Sequence, residues 1–255
     1  MTLALDGTPV GGIISGAATT TVVSGALTTT ASSGVVIALV GINNESNVQV
    51  TVGSVAGAGL TWTKRAQQFF LDSGNFQYVD YEIWWAPYSS PISAQAITAT
   101  FASAATSVGA IISVFAVSGA NTSTPFDPVS TSFKTNTTAT ADTPQTTITT
   151  TNANDFIFAG IFNGSGVPTT WTTQASFTTL GNINGFSGSP NFTQAYTQAE
   201  YQIVSSTQSG LTIGFTDASH TYVLFADAIK AASGGGGGGF VPFNPWPQIG
   251  PLIAQ

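Results

Sequence analysis

Cysteine is absent from the 255-residue chain, so neither a disulfide nor a thiolate metal site can form. Basic residues are nearly as scarce. Lys64, Arg65, Lys134 and Lys230 stand against 11 acids, and the net charge is −7. Phosphate backbones are bound by clustered Lys and Arg, so nucleic acid is not an expected partner, nor is an anionic membrane surface. Charged residues of both signs make up 6%, where a typical domain has roughly 25%. A surface of Ser and Thr has little like-charge repulsion, which favours close association of copies. No run approaches the about 20 apolar residues of a membrane span, and membrane insertion is not expected. The opening MTLALDGTPVGG has neither the basic region nor the apolar run of a cleaved signal. The expectation is release by lysis, as for virion parts, or export without such a signal.

What is present points to an all-β chain. Hydrophobic residues make up 42%, enough for a sizeable core. VVIALVGIN (from Val35), YVDYEIWWA (from Tyr78), AITATF (from Ala96) and GAIISVFAVSG (from Gly109) are β-branched and aromatic runs bounded by Gly, Ser, Asn and Pro. The chain also repeats itself. LTTTASSGVVIALVGIN (from Leu27) matches ITTTNANDFIFAGIFN (from Ile148), and GLTWTKRAQQF (from Gly59) matches TTWTTQASF (from Thr169), aligning Trp62 with Trp171. YEIWW lies against AEYQI, pairing Glu82 with Glu200, AITATF against GLTIGF, and SVFAVSGA against LFADAIKA, with the offset shrinking from 121 to 111 residues. Each copy reads as about five strands. They form either two small sandwiches or, as preferred here, one antiparallel jelly-roll-like β-sandwich of about ten strands, which leaves fewer open edges. The expected layout is an N-terminal arm and first strand (1–26), a first repeat (27–120), a Thr-rich connector (121–147), a second repeat of the same sandwich (148–233), a Gly linker (234–239) and an apolar arm (240–255). An arm at residues 1–16 is a second candidate linker.

The succession TTTASSGVVIALVG, GLTWTKRAQ, VDYEIWWAP, then ITATF and VFAVSGA followed by PFDP, resembles concanavalin-like jelly-roll β-sandwich modules of bacterial surface and phage structural proteins. The resemblance covers about residues 3–232. It implies the fold and an extracellular or virion setting, not one activity. Glycosidases of that group carry Glu-x-Asp-x-Glu on one strand. Here Tyr78 stands in the first position before Asp80 and Glu82, so one required carboxylate is missing, and the chain is not expected to be an enzyme. The two acids read as a solvated face, with Tyr81, Ile83 and Trp85 facing the core.

His220, the single histidine, lies in DASHT. A Ser–His–Asp triad needs it as base, but Asp217 and Ser219 are too close in sequence to build one, and His220 reads as a turn residue. No spacing supports a metal site or any cofactor, a loop calcium near Asp127 or Asp217 being the nearest candidate. Trp62 and Trp171 read as core. Trp84 and Trp85 are adjacent, so one faces in and one out, and an exposed Trp84 would stack on a sugar or a neighbour. Candidate N-glycosylation sequons begin at Asn44, Asn121, Asn136, Asn163 and Asn191.

The sixteen residues after six glycines, FVPFNPWPQIGPLIAQ, have no charge and four prolines. Phe240, Phe243, Trp246, Ile249 and Leu252 recur every third residue. Proline excludes a regular helix and a full strand ladder, whereas polyproline II has three residues per turn and would gather the five into one apolar ridge. The ridge calls for a preformed groove, on the same molecule or on a neighbour. The expectation is therefore a structural subunit that polymerises with copies of itself into an extracellular or virion-associated fibre through this arm. A glycan-binding adhesin or phage tail module is the alternative.

Overall fold

The computed structural model describes residues 2–15, 19–44, 48–72, 77–105, 108–129, 131–138, 142–163, 171–185, 195–216 and 220–232. They form seventeen strands and no helix. The first nine are β1 (Ala4–Leu5), β2 (Val10–Ser15), β3 (Thr19–Leu27), β4 (Gly34–Asn44), β5 (Val52–Ala56), β6 (Thr63–Asp72), β7 (Gln77–Tyr88), β8 (Gln95–Ala105) and β9 (Val108–Ser118). Eight follow: β10 (Ser132–Asn136), β11 (Gln145–Ile148), β12 (Asp155–Asn163), β13 (Thr172–Thr173), β14 (Thr178–Gly185), β15 (Ala195–Val204), β16 (Leu211–Thr216) and β17 (Tyr222–Lys230). All pairings are antiparallel.

The all-β antiparallel class is as expected, but the layering differs from a single ten-strand sandwich. No sheet mixes strands from the two halves. The first half has an inner sheet in the order β1/β2-β9-β4-β7-β6 and an outer sheet β3-β8-β5. The second half repeats this as β10-β17-β12-β15-β14 and β11-β16-β13. Two sandwiches thus stack through their inner sheets, giving four layers and three cores. The central core holds Val35, Ile37, Leu39 and Tyr81 from the first half against Phe156, Phe158, Phe162 and Phe225 from the second. The flanking cores hold Val36, Ala38 and Val40 against Ile97 and Phe101, and Ile157 and Leu224 against Ile213 and Phe215. Successive side chains of an inner strand therefore enter two different cores. That is why every residue of β4 and β12 is buried, and why VVIALVGIN is apolar without alternation although its sheet is antiparallel.

The duplication starts earlier than the sequence matches suggested. Asp6 accepts hydrogen bonds from Thr30 N, Thr30 Oγ1 and Ala31 N at 2.8, 2.9 and 3.1 Å, and from Tyr88 Oη at 2.6 Å. Exactly 121 residues on would be too strict a rule for a whole fold, but here it holds: Asp127 accepts from Thr151 N, Thr151 Oγ1 and Asn152 N at 2.7, 2.8 and 3.0 Å. Burial alone would raise both carboxyls, yet these bonds outweigh it and hold both below the usual range. The expected N-terminal arm is accordingly built in, since β1 and β2 pair with β9. The expected connector supplies β10 and β11 to the second sandwich. One alignment also shifts. Gly34 pairs with Ser118 and its counterpart Asp155 with Lys230, so the offset at the last strand is 112 rather than 111. A one-residue slip exchanges the faces of a strand, and the counterpart of Phe115 is Asp227, not Ala226.

Candidate interaction site

The acids of β7 sit inside the first sandwich, not on a solvated face. Asp80 and Glu82 are 1% and 0% exposed, because the outer sheet covers the side of β7 that bears them. Glu82 Oε1 accepts from Val52 N of the outer sheet at 2.9 Å, and Oε2 accepts from Trp84 Nε1 at 2.7 Å. Lys64 Nζ closes an ion pair with Oε2 at 2.8 Å. Gln67 Nε2 donates to Asp80 Oδ1 at 2.6 Å. Burial, then the neighbouring Glu82 charge, pushes the Asp80 carboxyl up to about 8. In the second half Glu200, fully buried, accepts from Gly214 N at 3.0 Å and Gln174 N at 3.1 Å. Burial pushes it up to about 7. By ladder register the counterpart of Glu82 is Gln198, two residues away on the same face, since Val40 faces Glu82 and its counterpart Ile161 faces Gln198. Both glutamates tie an inner sheet to its outer sheet, and neither is presented to a substrate.

Trp84, expected as an exposed stacking residue, is 8% exposed and packs in the first flanking core. Adjacent residues do face opposite ways, but both sides of this sheet are covered. Trp171 is buried and Trp62 half-buried in their flanking cores, as expected. Asn44, Asn136 and Asn163 are buried, which removes three glycosylation candidates from the folded surface. Asn136 Nδ2 is engaged by the carbonyl of half-buried His220 at 2.9 Å. Asn121 is half-buried, its Oδ1 accepting from Ser123 N and Thr124 N, both at 3.0 Å. Asn191, Asp217 and the arm residues Phe240, Phe243, Trp246, Ile249 and Leu252 lie outside the described residues. Asp127 has its oxygens turned to hydrogen-bond donors, which leaves no basis for calcium there. Among the described residues no cluster of three metal-ligating side chains occurs.

Composition did not reveal the following two surfaces of the described residues. The first is the free edge of β6, which among the described strands pairs only with β7. Phe69 and Leu71 on this edge are 48% and 41% exposed. From Ala66 to Leu71 the edge has no charge and no proline, the usual devices that blunt an open strand. The second is a groove of about 270 Å³ where the halves meet, walled by Lys64, Arg65 and Trp85 on one side and residues 123–126 on the other. A bulge between Lys64 and Ala66 inserts Arg65 and aims it across the interface. Its Nε donates to Asp227 Oδ2 at 2.9 Å and its Nη2 to Thr131 Oγ1 at 2.6 Å. The guanidinium carbon lies 4.4 Å from the centre of the Phe126 ring, and Trp85 meets that ring edge to face at 5.8 Å.

No family model, no curated protein and no solved structure matches the chain.

Proposed function

We propose that the chain is a structural subunit that assembles with copies of itself into a fibre, in an extracellular or virion-associated setting. The observation that carries this reading is the β6 edge. Among the described strands the ten-residue β6 has a neighbour on one side alone, and its stretch Ala66–Leu71, with exposed Phe69 and Leu71, has no gatekeeping charge. An edge of this kind is a template for another strand. Two copies of β6 meeting antiparallel would extend the inner sheet from one molecule into the next. Such a contact is isologous and closes on itself, so propagation needs a second, heterologous joint. The apolar arm at 240–255 is assigned to that role. The sparse charge of the chain lets neighbours approach closely.

The test is electron microscopy and sedimentation of the full chain beside a Phe69→Lys/Leu71→Lys variant and a version ending at Ser233. Filaments are expected from the full chain, with shorter species from both variants. Single particles from the full chain at high concentration would overturn the reading. The glycan-binding alternative no longer has Trp84, but half-buried Trp85 in the groove wall offers a stacking face. Saturable sugar binding by single particles, lost on changing the groove, would favour it.

A further inference from the structure

We infer that the groove between Lys64, Arg65, Trp85 and residues 123–126 is the dock for the proline-rich arm of a neighbouring copy. The inference rests on the self-assembly reading and names the surface it uses. Its first support is the chemistry of the walls. Half-buried Trp85 meets buried Phe126 at 84°, with Pro125 beside them. Proline-rich segments dock in aromatic-lined grooves, where their restricted backbone keeps the ordering cost low. The volume of about 270 Å³ suits one large aromatic side chain with a flanking ring. Pro245-Trp246-Pro247 is the stretch of the arm with that composition.

The second support is charge. Both cations of the groove are already paired, Lys64 with Glu82 and Arg65 with Asp227. The groove is in effect neutral and offers no net attraction to an anion. Residues 234–255 have no charged side chain, so the arm matches a slot whose cations are already paired.

The third support is preorganisation. The wall at 121–126 is held before anything binds. Asn121 Oδ1 caps the turn at Ser123 and Thr124, Lys230 N donates to the Pro125 carbonyl at 2.8 Å, and Phe126 forms a bridge with Ile229. Arg65 is locked by Asp227 and Thr131. A groove already in its bound shape lowers the cost of binding. The body ends beside this wall: Ala232 N donates to the Gly119 carbonyl and Ala231 N to that of Asn154, and Ala231 bridges Ala120. Six glycines give a reach of about 13 Å, which serves the groove of the parent molecule as well as that of a neighbour, and cross-linking separates the two.

The absence of native cysteine makes a direct test clean. Thr124 is exposed at the groove rim and Val129 is exposed away from it. A full chain carrying Thr124→Cys and Asn244→Cys is oxidised and compared with one carrying Val129→Cys and Asn244→Cys. A disulfide-linked ladder of multimers from the first and not the second is expected. An intrachain disulfide in monomers would overturn docking on a neighbour. Filaments without any ladder would overturn the groove but leave self-assembly standing, and neither filaments nor ladder would overturn both. Thr124→Trp fills the groove from an exposed position and leaves the core untouched. It is expected to abolish arm-dependent filaments, with the far-ultraviolet spectrum and thermal transition unchanged. Filaments of unchanged length from that variant would also overturn the groove.

Discussion

The aromatic ring of Phe162 lies directly on Gly41 across the central core: a Cβ built on Gly41 would stand 2.3 Å from Phe162 Cδ2. The two residues occupy the same position in their repeats, 121 residues apart. The neighbouring equivalent pair, Leu39 and Gly160, is matched in the opposite sense, with Leu39 Cδ1 3.0 Å from a Cβ placed on Gly160. Equivalent positions meet where a twofold axis would pass. Each contact sets a large side chain against a glycine, so the surface of each half is shaped for the other half and not for a copy of itself.

Gly41→Ala is expected to cost about 1–3 kcal/mol through overpacking, and Phe162→Ala about 3–5 kcal/mol through the cavity it leaves. In the Phe162→Ala background Gly41→Ala should cost close to nothing. Urea unfolding of the four proteins measures the coupling. Simple additivity would show that the two residues do not share this space.

Arg65 reaches from the first half to Asp227 of the second at 2.9 Å, and Asp227 is fully buried. Removing the cation leaves the buried carboxylate with neutral donors such as Thr131 Oγ1 and Ala228 N in place of a charge, at a cost of about 2 kcal/mol or more. Arg65 is partly exposed, which places the effect at the lower end of the range for buried pairs. Arg65→Met is expected to lower the thermal midpoint, and adding Asp227→Leu should restore most of the loss. A double variant as unstable as the single one would refute the pairing as the cause.

Stability is expected to fall as pH rises from 5 to 8. Asp80, Glu200 and Asp155 are raised to about 8, about 7 and about 6, each chiefly by burial. A raised carboxyl favours the folded state fully below its unfolded value, and that contribution is lost as pH climbs through the folded one. Asp6 and Asp127, held low, act oppositely and lose their contribution only below about pH 4. Thermal melts should show a maximum at about pH 4, with Asp80→Asn flattening the decline above it. An unchanged slope in that variant would exclude Asp80 as its source.

Within the body, the strands and the duplication were legible because both are local: β-branched runs mark strands, and copied motifs mark copies. The shared Asp6 and Asp127 loops were not found, because LALDG and PFDPV share little beyond the aspartate and their likeness lies in the donors each one gathers. The slip that set Phe115 against Ala226 had a similar origin. Apolar strands align almost equally well one residue apart, and only the ladder tells the two registers apart. The open β6 edge and the groove were beyond sequence pattern altogether, since KRAQQFFL carries no mark of which side lacks a neighbour.

Composition and period by themselves determined that this is an antiparallel all-β chain, duplicated, without thiol chemistry and with almost no charge to keep copies apart. They also determined that Trp84 and Trp85 point opposite ways, because alternation is a property of the strand alone. Only the tertiary structure decided that both directions lead into a core. What covers the face of a sheet is set by segments far away in the chain, here an outer sheet on one side and the other half on the other.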